Sequence, residues 1–290
     1  MPELPEVETT IRGLKPKVLN RTFVDIWANA PNLIKRPNSF LEFKKLLRNR
    51  RITGLKRAGK NILFSLSGGL TMLVHQKMTG HLLYGQWQEE NGRWVAKEKG
   101  PLRDDLQNRF IHLVFFFDNG FQMALSDLRK FAKVEIWDSH ELKNAPTLKS
   151  LGEDALKITR EQFEKGLTSK KGQIKAVLMD QAFIAGVGNI YSDEILFQAR
   201  VHPKQPANKL TKKQIATIHK AIKEVLSLAI KKGGTSFSDY RKPNGEKGGF
   251  SDDRKVYKKI GEKCPRCRKA KIARLRIGGR SAHFCPNCQR

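Results

Sequence analysis

The four cysteines of the chain lie near its end and have the spacing of metal ligands. They form two Cys-x-x-Cys pairs, Cys264 with Cys267 and Cys285 with Cys288. Two such pairs can direct four thiolates at one tetrahedral zinc ion, while disulfide bonds are the competing interpretation, disfavoured in a reducing compartment. Four protein ligands leave no open coordination position, so the sequence predicts one structural zinc ion.

The segment between the two cysteine pairs predicts a β-hairpin. Apolar and basic residues alternate along residues 271–284, and Gly278-Gly279 offers a turn. Arg280 follows this turn and is expected to project from the tip toward DNA. Because so short a segment cannot bury a core, we expect zinc binding to fold it.

A second candidate reactive group stands at the other end of the chain. Met1 is normally removed before a small residue, which would leave Pro2 with a free secondary amine. An α-amino group has a pKa near about 8, so part of it is neutral at physiological pH and can condense with a sugar carbon. Glu3 could protonate a leaving sugar oxygen, and Glu6 follows about one helical turn later. The simpler alternative is that Pro and Glu only begin a helix, where both are favoured.

Three further features could contact phosphate groups. Residues 185–191 (AGVGNIY) predict a tight turn into a helix whose N–H groups and Asn189 face an anion, although Asn189 could merely cap that helix. Lys60 precedes a predicted strand and, taken alone, would be a surface lysine. The lysines upstream of the turn are also candidates: Lys170, Lys171 and Lys175.

The composition favours a polyanionic partner. The 290 residues include 56 Lys+Arg and 28 Asp+Glu, giving a net charge of +28, with the excess strongest in residues 201–290. This charge favours nucleic acid over an anionic membrane surface. A hydrophobic content of 39% excludes a disordered basic tail. The chain lacks an apolar run of about 20 residues and begins with acidic residues, so we expect a cytoplasmic protein with no membrane segment and no secretory signal.

Apolar periodicity divides the chain into a β-rich part and a helical part. Helices are predicted at residues 6–18, 39–48, 159–168, 172–182, 189–199 and 211–231. Strands are predicted at residues 62–66, 70–75, 81–87, 110–117, 121–125 and 131–137. Residues 88–109 are predicted to form a surface loop, and residues 234–261 a mobile loop. The fold class is therefore α+β and multidomain. The predicted domains are an antiparallel β-sandwich at 1–140, a helical domain at 141–240, and the loop with the zinc hairpin at 241–290.

Six motifs follow one another along the whole chain. They are MPELPEVET at residues 1–9, HxxMTGHL at 75–82, DxRxF at 127–131, GVGNIY at 186–191, GTSFSDY at 234–240 and the two zinc knuckles. Together they resemble the formamidopyrimidine-DNA glycosylase family of the MutM type, within the bacterial Fpg/endonuclease VIII group. The resemblance implies a β-sandwich with flanking helices, a helix-two-turns-helix DNA-binding domain and a β-hairpin zinc finger.

The resemblance also implies four catalytic residues. Pro2 would attack the anomeric carbon, and Glu3 would donate a proton. Lys60 would contact phosphate and assist β-elimination. Arg280 would grip the phosphates that flank the lesion and assist δ-elimination.

A set of DNA contacts follows from the same resemblance. Met78, Arg129 and Phe131 would fill the gap left by a flipped base, because inserted side chains offset the cost of unstacking. Without the resemblance, Met78 and Phe131 would be interpreted as core residues. The remaining implied contacts are Glu6, His75, Lys171, Asn189 and Tyr257.

Some positions depart from the family pattern. Residues 127–132 read DLRKFA where the family commonly has DPRRFG, so the turn is expected to be looser. A His-x-His pair is incomplete, since the register is either Asn108-x-Phe110 or Phe110-x-His112, and one DNA contact is in doubt. The spacing between the zinc knuckles is also one residue longer than expected.

The implied function is that of a bifunctional DNA repair glycosylase and AP lyase. It would excise oxidised purines, such as 8-oxoguanine and formamidopyrimidines, through base flipping, a Schiff base at Pro2 and β,δ-elimination. The sister enzyme endonuclease VIII, which acts on oxidised pyrimidines, usually begins MPEGP, so Leu4 and the wedge residues favour the purine enzyme. A non-catalytic zinc-dependent DNA-binding protein is a further alternative. The expected partner is double-stranded damaged DNA, bound by a monomer in the nucleoid of a bacterial cytoplasm, with the loop at 234–261 closing over the flipped base.

Overall fold

The computed structural model describes residues 1–237 and 239–290, which form two compact units. Ser238, within the predicted mobile loop, lies outside the described residues. The first unit comprises Met1–Lys149 and Lys232–Ser251, and the second comprises Ser150–Lys231 and Asp252–Arg290. The domain boundaries predicted near residues 140 and 240 stay a prediction.

The first unit is built from two larger β-sheets, a two-stranded hairpin of β7 and β8, two longer helices and two short ones. The helices are α1 (Leu4–Val18), α2 (Phe40–Leu47), α3 (Pro101–Asp104) and α4 (Pro146–Lys149). The strands are β1 (Phe23–Ala28), β2 (Ile34–Arg36), β3 (Ile52–Ala58), β4 (Asn61–Leu66), β5 (Leu70–His75), β6 (His81–Gly85), β7 (Trp87–Glu90), β8 (Arg93–Ala96), β9 (Ile111–Phe117), β10 (Gln122–Ser126) and β11 (Lys133–Asp138). One sheet has the order β1-β9-β10-β6, and the other has the order β2-β11-β5-β4-β3. Pairing within these sheets is antiparallel except between β2 and β11.

A single hydrophobic core joins both sheets and α1. Along β9, Leu113 and Phe115 face this core while Val114 and Phe116 face the opposite side, as the two-residue period of a strand requires. Helix α1 contributes a buried stripe and packs against β3 and β4. Turns at residues 67–69 and 118–120 join β4 to β5 and β9 to β10.

The prediction of a surface loop at residues 88–109 is wrong in part. It contains most of a hairpin of β7 and β8, followed by α3. Asn91 and Gly92 turn the hairpin with φ of 50° and 75°, the left-handed backbone that such a turn requires. Trp94 then packs edge-on against Trp27, with ring centroids 5.5 Å apart. The Asn-Gly pair was the available sequence signal. The strands β1, β2 and β3 were also missed.

The second unit is mainly helical and ends in a β-hairpin. Its elements are β12 (Glu153–Asp154), α5 (Arg160–Thr168), α6 (Ile174–Met179), β13 (Ile184–Ala185), α7 (Asn189–Ala199), α8 (Lys212–Lys231), β14 (Ala273–Ile277) and β15 (Arg280–Phe284). The short helix α9 (Phe250–Asp253) spans the boundary between the segments of the two units.

Helix α7 is the centre of the second unit, with contacts to α6, α8 and β15. The Thr211 hydroxyl accepts the Gln214 N–H at the start of α8, and Gly233, with φ of 77°, follows its end. The β14–β15 turn lies at Gly278-Gly279, as predicted. In the part of the chain that the structure describes, no helix is both long and apolar enough to cross a membrane.

Candidate active site and nucleic-acid interface

The N-terminus of α1 holds the candidate nucleophile. Pro2 and Glu3 are buried, and α1 begins directly after them. The Glu6 carboxylate accepts the Glu3 N–H at 2.8 Å through Oε2 and the Thr235 N–H at 2.8 Å through Oε1. Glu6 therefore fixes the backbone beside Pro2 and joins it to the segment that follows α8 in sequence.

Lys60 lies in the turn between β3 and β4, and its side chain is largely buried. Arg57, at the end of β3, donates to the Glu8 carboxylate on α1 at 3.0 Å and to the Gly59 carbonyl at 3.3 Å. Burial works against ionisation of Glu8, but hydrogen bonds from Arg12 and Arg57 outweigh it and hold its pKa below the usual range. This ion pair ties the turn that carries Lys60 to the helix that carries Pro2.

His75 ends β5, directly opposite Asn61 on β4 and Lys133 on β11. Its Nδ1 accepts the Lys77 N–H at 2.9 Å. Burial, with the positive charges of Lys77 and Lys60, lowers the pKa of His75 to about 3. The ring is therefore neutral near pH 7, and its proton sits on Nε2, which can donate to an anion.

The three predicted wedge residues lie together on two loops. The Arg129 guanidinium contacts the Met78 sulfur at 3.3 Å and stacks over the Phe131 ring at 4.6 Å. Met78 is 39% exposed and Phe131 is 49% exposed. The interpretation of Met78 and Phe131 as core residues is therefore wrong.

Asp127 organises the turn that carries Arg129 and Phe131. Its fully buried carboxylate accepts the N–H groups of Arg129, Phe131 and Ala132 at 3.2, 2.8 and 2.7 Å, and it also accepts the Thr79 hydroxyl. The expected loosening of the turn is not observed, because these bonds hold it without the family's Pro and Gly.

Asn189 is the first residue of α7, and Gly188 occupies the N-cap position. The alternative that Asn189 merely caps the helix is therefore wrong. Its amide nitrogen lies 3.5 Å from the Tyr257 hydroxyl, so the structure brings two predicted DNA contacts together. The Asn189 side-chain oxygen is buried and has no hydrogen-bond partner among the residues described.

Lys175 is not a surface phosphate ligand, contrary to the interpretation of the lysine cluster. It is completely buried and forms an ion pair with Asp193. It also donates to the Ser281 carbonyl at 2.9 Å and the Asn189 carbonyl at 3.4 Å. Asp193 in turn accepts the N–H and the Nδ1 of His283, each at 2.9 Å. Lys171 is exposed, as a phosphate contact requires.

Glu194, next to Asp193 on α7, holds the segment that contains Tyr257. Its buried carboxylate accepts the N–H groups of Lys255, Val256 and Tyr257 at 2.8, 3.0 and 2.8 Å. Burial raises the pKa of Glu194, and the three N–H groups oppose that shift. Sequence reasoning missed Asp193 and Glu194, since their partners lie between 18 and 90 residues away and no local spacing marks them.

Arg280 begins β15 at the tip of the C-terminal hairpin and is exposed. The turn before it is formed by Gly278 and Gly279, both with positive φ. Its neighbour Ser281 receives the Lys175 ammonium, so a buried cation fixes the hairpin near its tip.

The four cysteines form one cluster, with all their sulfur atoms within 4.8 Å of one another. The Sγ atoms of Cys264 and Cys288 lie 3.9 Å apart, and those of Cys267 and Cys285 lie 3.7 Å apart. A tetrahedral zinc with Zn–S bonds of about 2.3 Å places its sulfurs about 3.8 Å apart, whereas a disulfide needs about 2.05 Å. The residues therefore fit zinc.

Charge leads to the same conclusion. Burial, with the crowding of neighbouring sulfurs, raises the pKa of Cys288 to about 12. A bound dication would offset this cost of ionising Cys288. The prediction of one structural zinc ion is confirmed.

Three family models match consecutive parts of the chain. The formamidopyrimidine-DNA glycosylase N-terminal domain matches residues 1–134, the formamidopyrimidine-DNA glycosylase H2TH domain matches residues 151–241, and the zinc finger found in FPG and IleRS matches residues 261–290. The predicted α+β architecture, with its helix-two-turns-helix domain and hairpin zinc finger, is confirmed.

Curated relatives and solved structures are similar to this chain over its full length. The formamidopyrimidine-DNA glycosylase of Pelotomaculum thermopropionicum is 37% identical across 100% of this chain and 99% of its own, and that of Streptococcus thermophilus is 36% identical across 100% of both. The Lactococcus lactis Fpg (MutM) in a complex with DNA containing N7-benzyl-Fapy-dG superimposes with a TM-score of 0.86 at 31% identity, covering 100% of both chains. A structure of MutM with DNA containing carbocyclic 8-oxo-G gives a TM-score of 0.85 at 32% identity, again covering 100% of both. The resemblance inferred from the six motifs is confirmed, and the chain belongs to the formamidopyrimidine-DNA glycosylase family of DNA repair enzymes.

Proposed function

We propose that the chain excises oxidised purines from double-stranded DNA and then cleaves the strand at the resulting site. Its substrates are 8-oxoguanine and formamidopyrimidine lesions. The observation that carries this proposal is the buried start of α1, where Pro2 and Glu3 stand side by side and Glu6 holds their backbone. A simple helix start needs neither group sequestered from water.

Pro2 is the nucleophile once Met1 has been removed, because an acylated proline nitrogen has no reactive lone pair. The amine attacks C1′, and the bond from C1′ to the base breaks with its electron pair leaving on the base, which takes up a proton. The new ammonium loses its proton. The C1′–O4′ bond then opens onto O4′, which Glu3 protonates, and an iminium remains.

Two eliminations follow from that iminium. A proton leaves C2′ and the 3′ phosphate leaves C3′; a second proton then leaves C4′ and the 5′ phosphate leaves C5′. The product is a one-nucleotide gap. Lys60 and Arg280 hold the phosphates, and His75 adds a neutral donor through Nε2, because a fixed donor stabilises a leaving phosphate without a proton transfer of its own.

The base must leave the helix before Pro2 can reach C1′. Met78, Arg129 and Phe131 enter the gap, and their exposure together on one surface supports this role. An apolar sulfur, a planar guanidinium and an aromatic ring are the groups that replace lost stacking. This wedge also favours a purine lesion over the oxidised pyrimidines of endonuclease VIII.

The second unit grips the duplex. Asn189, Tyr257, Lys171 and Arg280 contact the DNA backbone. Lys175 donates to the Asn189 carbonyl and to the carbonyl of Ser281, which follows Arg280, and so helps to position both contacts. The net charge of +28 makes this binding salt-sensitive and allows sliding along undamaged DNA. We infer a monomer that works on the bacterial nucleoid in the cytoplasm.

The test is a trapped Schiff base. The protein is incubated with a duplex containing 8-oxoguanine in the presence of borohydride, and a covalent adduct is expected. A form that keeps Met1 is the matched control and should give none. The mechanism is overturned if the normal protein forms no adduct, or if the form with Met1 does. Duplexes with oxidised pyrimidines, run in parallel, separate the purine enzyme from its pyrimidine-specific sister.

A further inference from the structure

The strap, defined here as the described residues of 232–249, is anchored to the start of α1. Thr235 donates its N–H to Glu6, and the buried Tyr240 hydroxyl donates to the Glu6 carbonyl at 3.1 Å. A Cβ on Gly234 would lie 2.9 Å from the Glu6 carboxylate, so glycine permits this close approach. One end of the strap is thus fixed next to Pro2 and Glu3.

A buried ion pair anchors the strap a second time. The Arg241 guanidinium donates to Asp105 through Nε at 2.7 Å and through Nη2 at 3.0 Å. Arg241 is 4% exposed. A two-point contact of this kind is the most directional ion pair that protein side chains make.

The same guanidinium also closes the turn between the two anchors. Its Nη1 donates to the Tyr240 carbonyl at 2.8 Å, and the Ser236 hydroxyl donates to that carbonyl at 2.7 Å. Arg241 therefore fixes the turn that begins at Ser236 and carries the partly exposed Phe237.

The strap rests on the segment that contains Asp105. The Asn108 amide donates to the Gly245 carbonyl at 3.1 Å, and the Tyr84 N–H donates to the Pro243 carbonyl at 2.8 Å. These contacts explain why part of the predicted mobile loop is buried: Tyr240 and Arg241 lie inside it.

We propose that Arg241 and Asp105 are positioning residues for base excision, which hold Ser236, Phe237 and Tyr240 of the strap where they can retain a flipped damaged base. This proposal rests on the proposed function. Excision needs the base held while Pro2 attacks C1′, so a displaced strap slows base release. Elimination at a preformed abasic site involves no base, so it does not need the strap.

The experiment compares two reactions of the same protein under single-turnover conditions. One substrate is a duplex with 8-oxoguanine, and the other is the same duplex with a preformed abasic site. Asp105→Asn and Arg241→Leu are each expected to slow excision at least about tenfold, since small misplacements near reacting atoms have effects of this size or larger. Strand cleavage at the abasic site is expected to stay within about twofold of the unaltered protein.

The matched control is the exposed ion pair between Lys242 and Glu246 on the same strap, with an N–O distance of 2.6 Å. Glu246→Gln is expected to change neither rate, because exposed ion pairs contribute little. Arg241→Lys keeps the charge but loses the two-point contact, and it is expected to fall between Arg241→Leu and the unaltered protein.

The outcomes separate this proposal from its alternatives. A merely structural role would lower both rates together. Unchanged excision would mean that the Arg241–Asp105 ion pair does not position the strap. Either result overturns the proposal. Abasic-site cleavage by the variants also reports that they are folded. If the unaltered protein cleaves neither substrate, the proposed function itself fails, which is a distinct result.

Discussion

Two buried carboxylates perform the same task in the two units. Asp127 in the first unit gathers the N–H groups of the turn that carries Arg129 and Phe131. Glu194 in the second unit gathers the N–H groups of the segment that carries Tyr257. In each case one buried carboxyl group accepts several backbone N–H groups and so fixes an irregular segment of the chain.

We call each buried carboxyl group, with the N–H groups that it accepts, a hub. The two hubs differ in the sequence separation between the carboxyl group and its N–H partners. The three N–H partners of Asp127 lie two to five residues after it, whereas those of Glu194 lie 61 to 63 residues away. A local hub can form as soon as its turn forms. A distant hub needs its helix and its loop to be brought together first, and in the second unit zinc and the Lys175–Asp193 pair help to do so. The second hub should therefore depend on other contacts, and the first should not.

Zinc removal should have the largest effect on stability and DNA binding. It should unfold part of the second unit and leave the first unit folded. Chelation is expected to unfold residues 261–290, because structural zinc contributes about 10–16 kcal/mol of apparent binding free energy. DNA affinity should fall at least about a hundredfold at fixed salt. Amide hydrogen exchange and fluorescence anisotropy measure the two effects.

The β-sheets of the first unit are the internal control and should keep their protection. Zinc added back should restore DNA binding. A hairpin that stayed protected in protein shown by metal analysis to be zinc-free would contradict the dependence of the second unit on its metal.

Asp127→Ala should have the next largest effect. It leaves the N–H groups of Phe131 and Ala132 without an acceptor, while the Arg129 N–H keeps the Thr79 hydroxyl. The free energy of unfolding should therefore fall by about 3–5 kcal/mol. Excision of 8-oxoguanine should fall as well, because the wedge loses its support. Asp138→Ala is the matched control, since Asp138 also accepts an N–H two residues later but is exposed. Urea denaturation that gave equal losses for both variants would disprove the hub role of Asp127.

Glu194→Gln should lower the free energy of unfolding by somewhat less, about 2–3 kcal/mol, because the amide keeps one oxygen acceptor for the three N–H groups. The loss should appear as faster hydrogen exchange in residues 254–258 and weaker DNA binding, with the wedge turn unaffected. Glu224→Gln, at an exposed position on α8, should change neither. Faster exchange in the Asp127 turn as well would show that the two hubs are not independent.

Acid should act with opposite signs on two histidines of the first unit and on Glu194 of the second. Burial lowers the pKa of His75 to about 3 and of His81 to about 4, below the ordinary value of about 6.5. Their stability contribution is complete above pH 6.5 and is lost as the pH falls, by about 2 kcal/mol for each at pH 5. The raised pKa of Glu194 has the reverse effect, since its protonated form is favoured in the folded unit.

Hydrogen exchange at pH 7 and pH 5, followed separately in each unit, measures this difference. Replacing His75 and His81 by Gln should flatten the pH dependence of the first unit. His140→Gln, at an exposed position, is the control. A first unit with equal protection at both pH values would show that the two buried imidazoles are not held neutral.

The sequence by itself determined the features that local chemistry controls. The cysteine spacing predicted the zinc site, the Gly278-Gly279 pair predicted the hairpin turn, and apolar periodicity placed α1, α7 and α8. Pro2 and Glu3, the proposed nucleophile and acid, could be predicted together because residues adjacent in sequence stay adjacent in the fold.

Only the tertiary structure decided which polar residues are buried and what they hold. Lys175 appeared to be one of several surface lysines, but it lies at zero exposure against Asp193. Arg241 lies within the segment predicted to be a mobile loop, but it forms a two-point ion pair with Asp105, 136 residues earlier in the chain. The physical reason is that a buried charge needs a partner, and the partners of Lys175 and Arg241 come from other segments of the chain. No local pattern contains that partner.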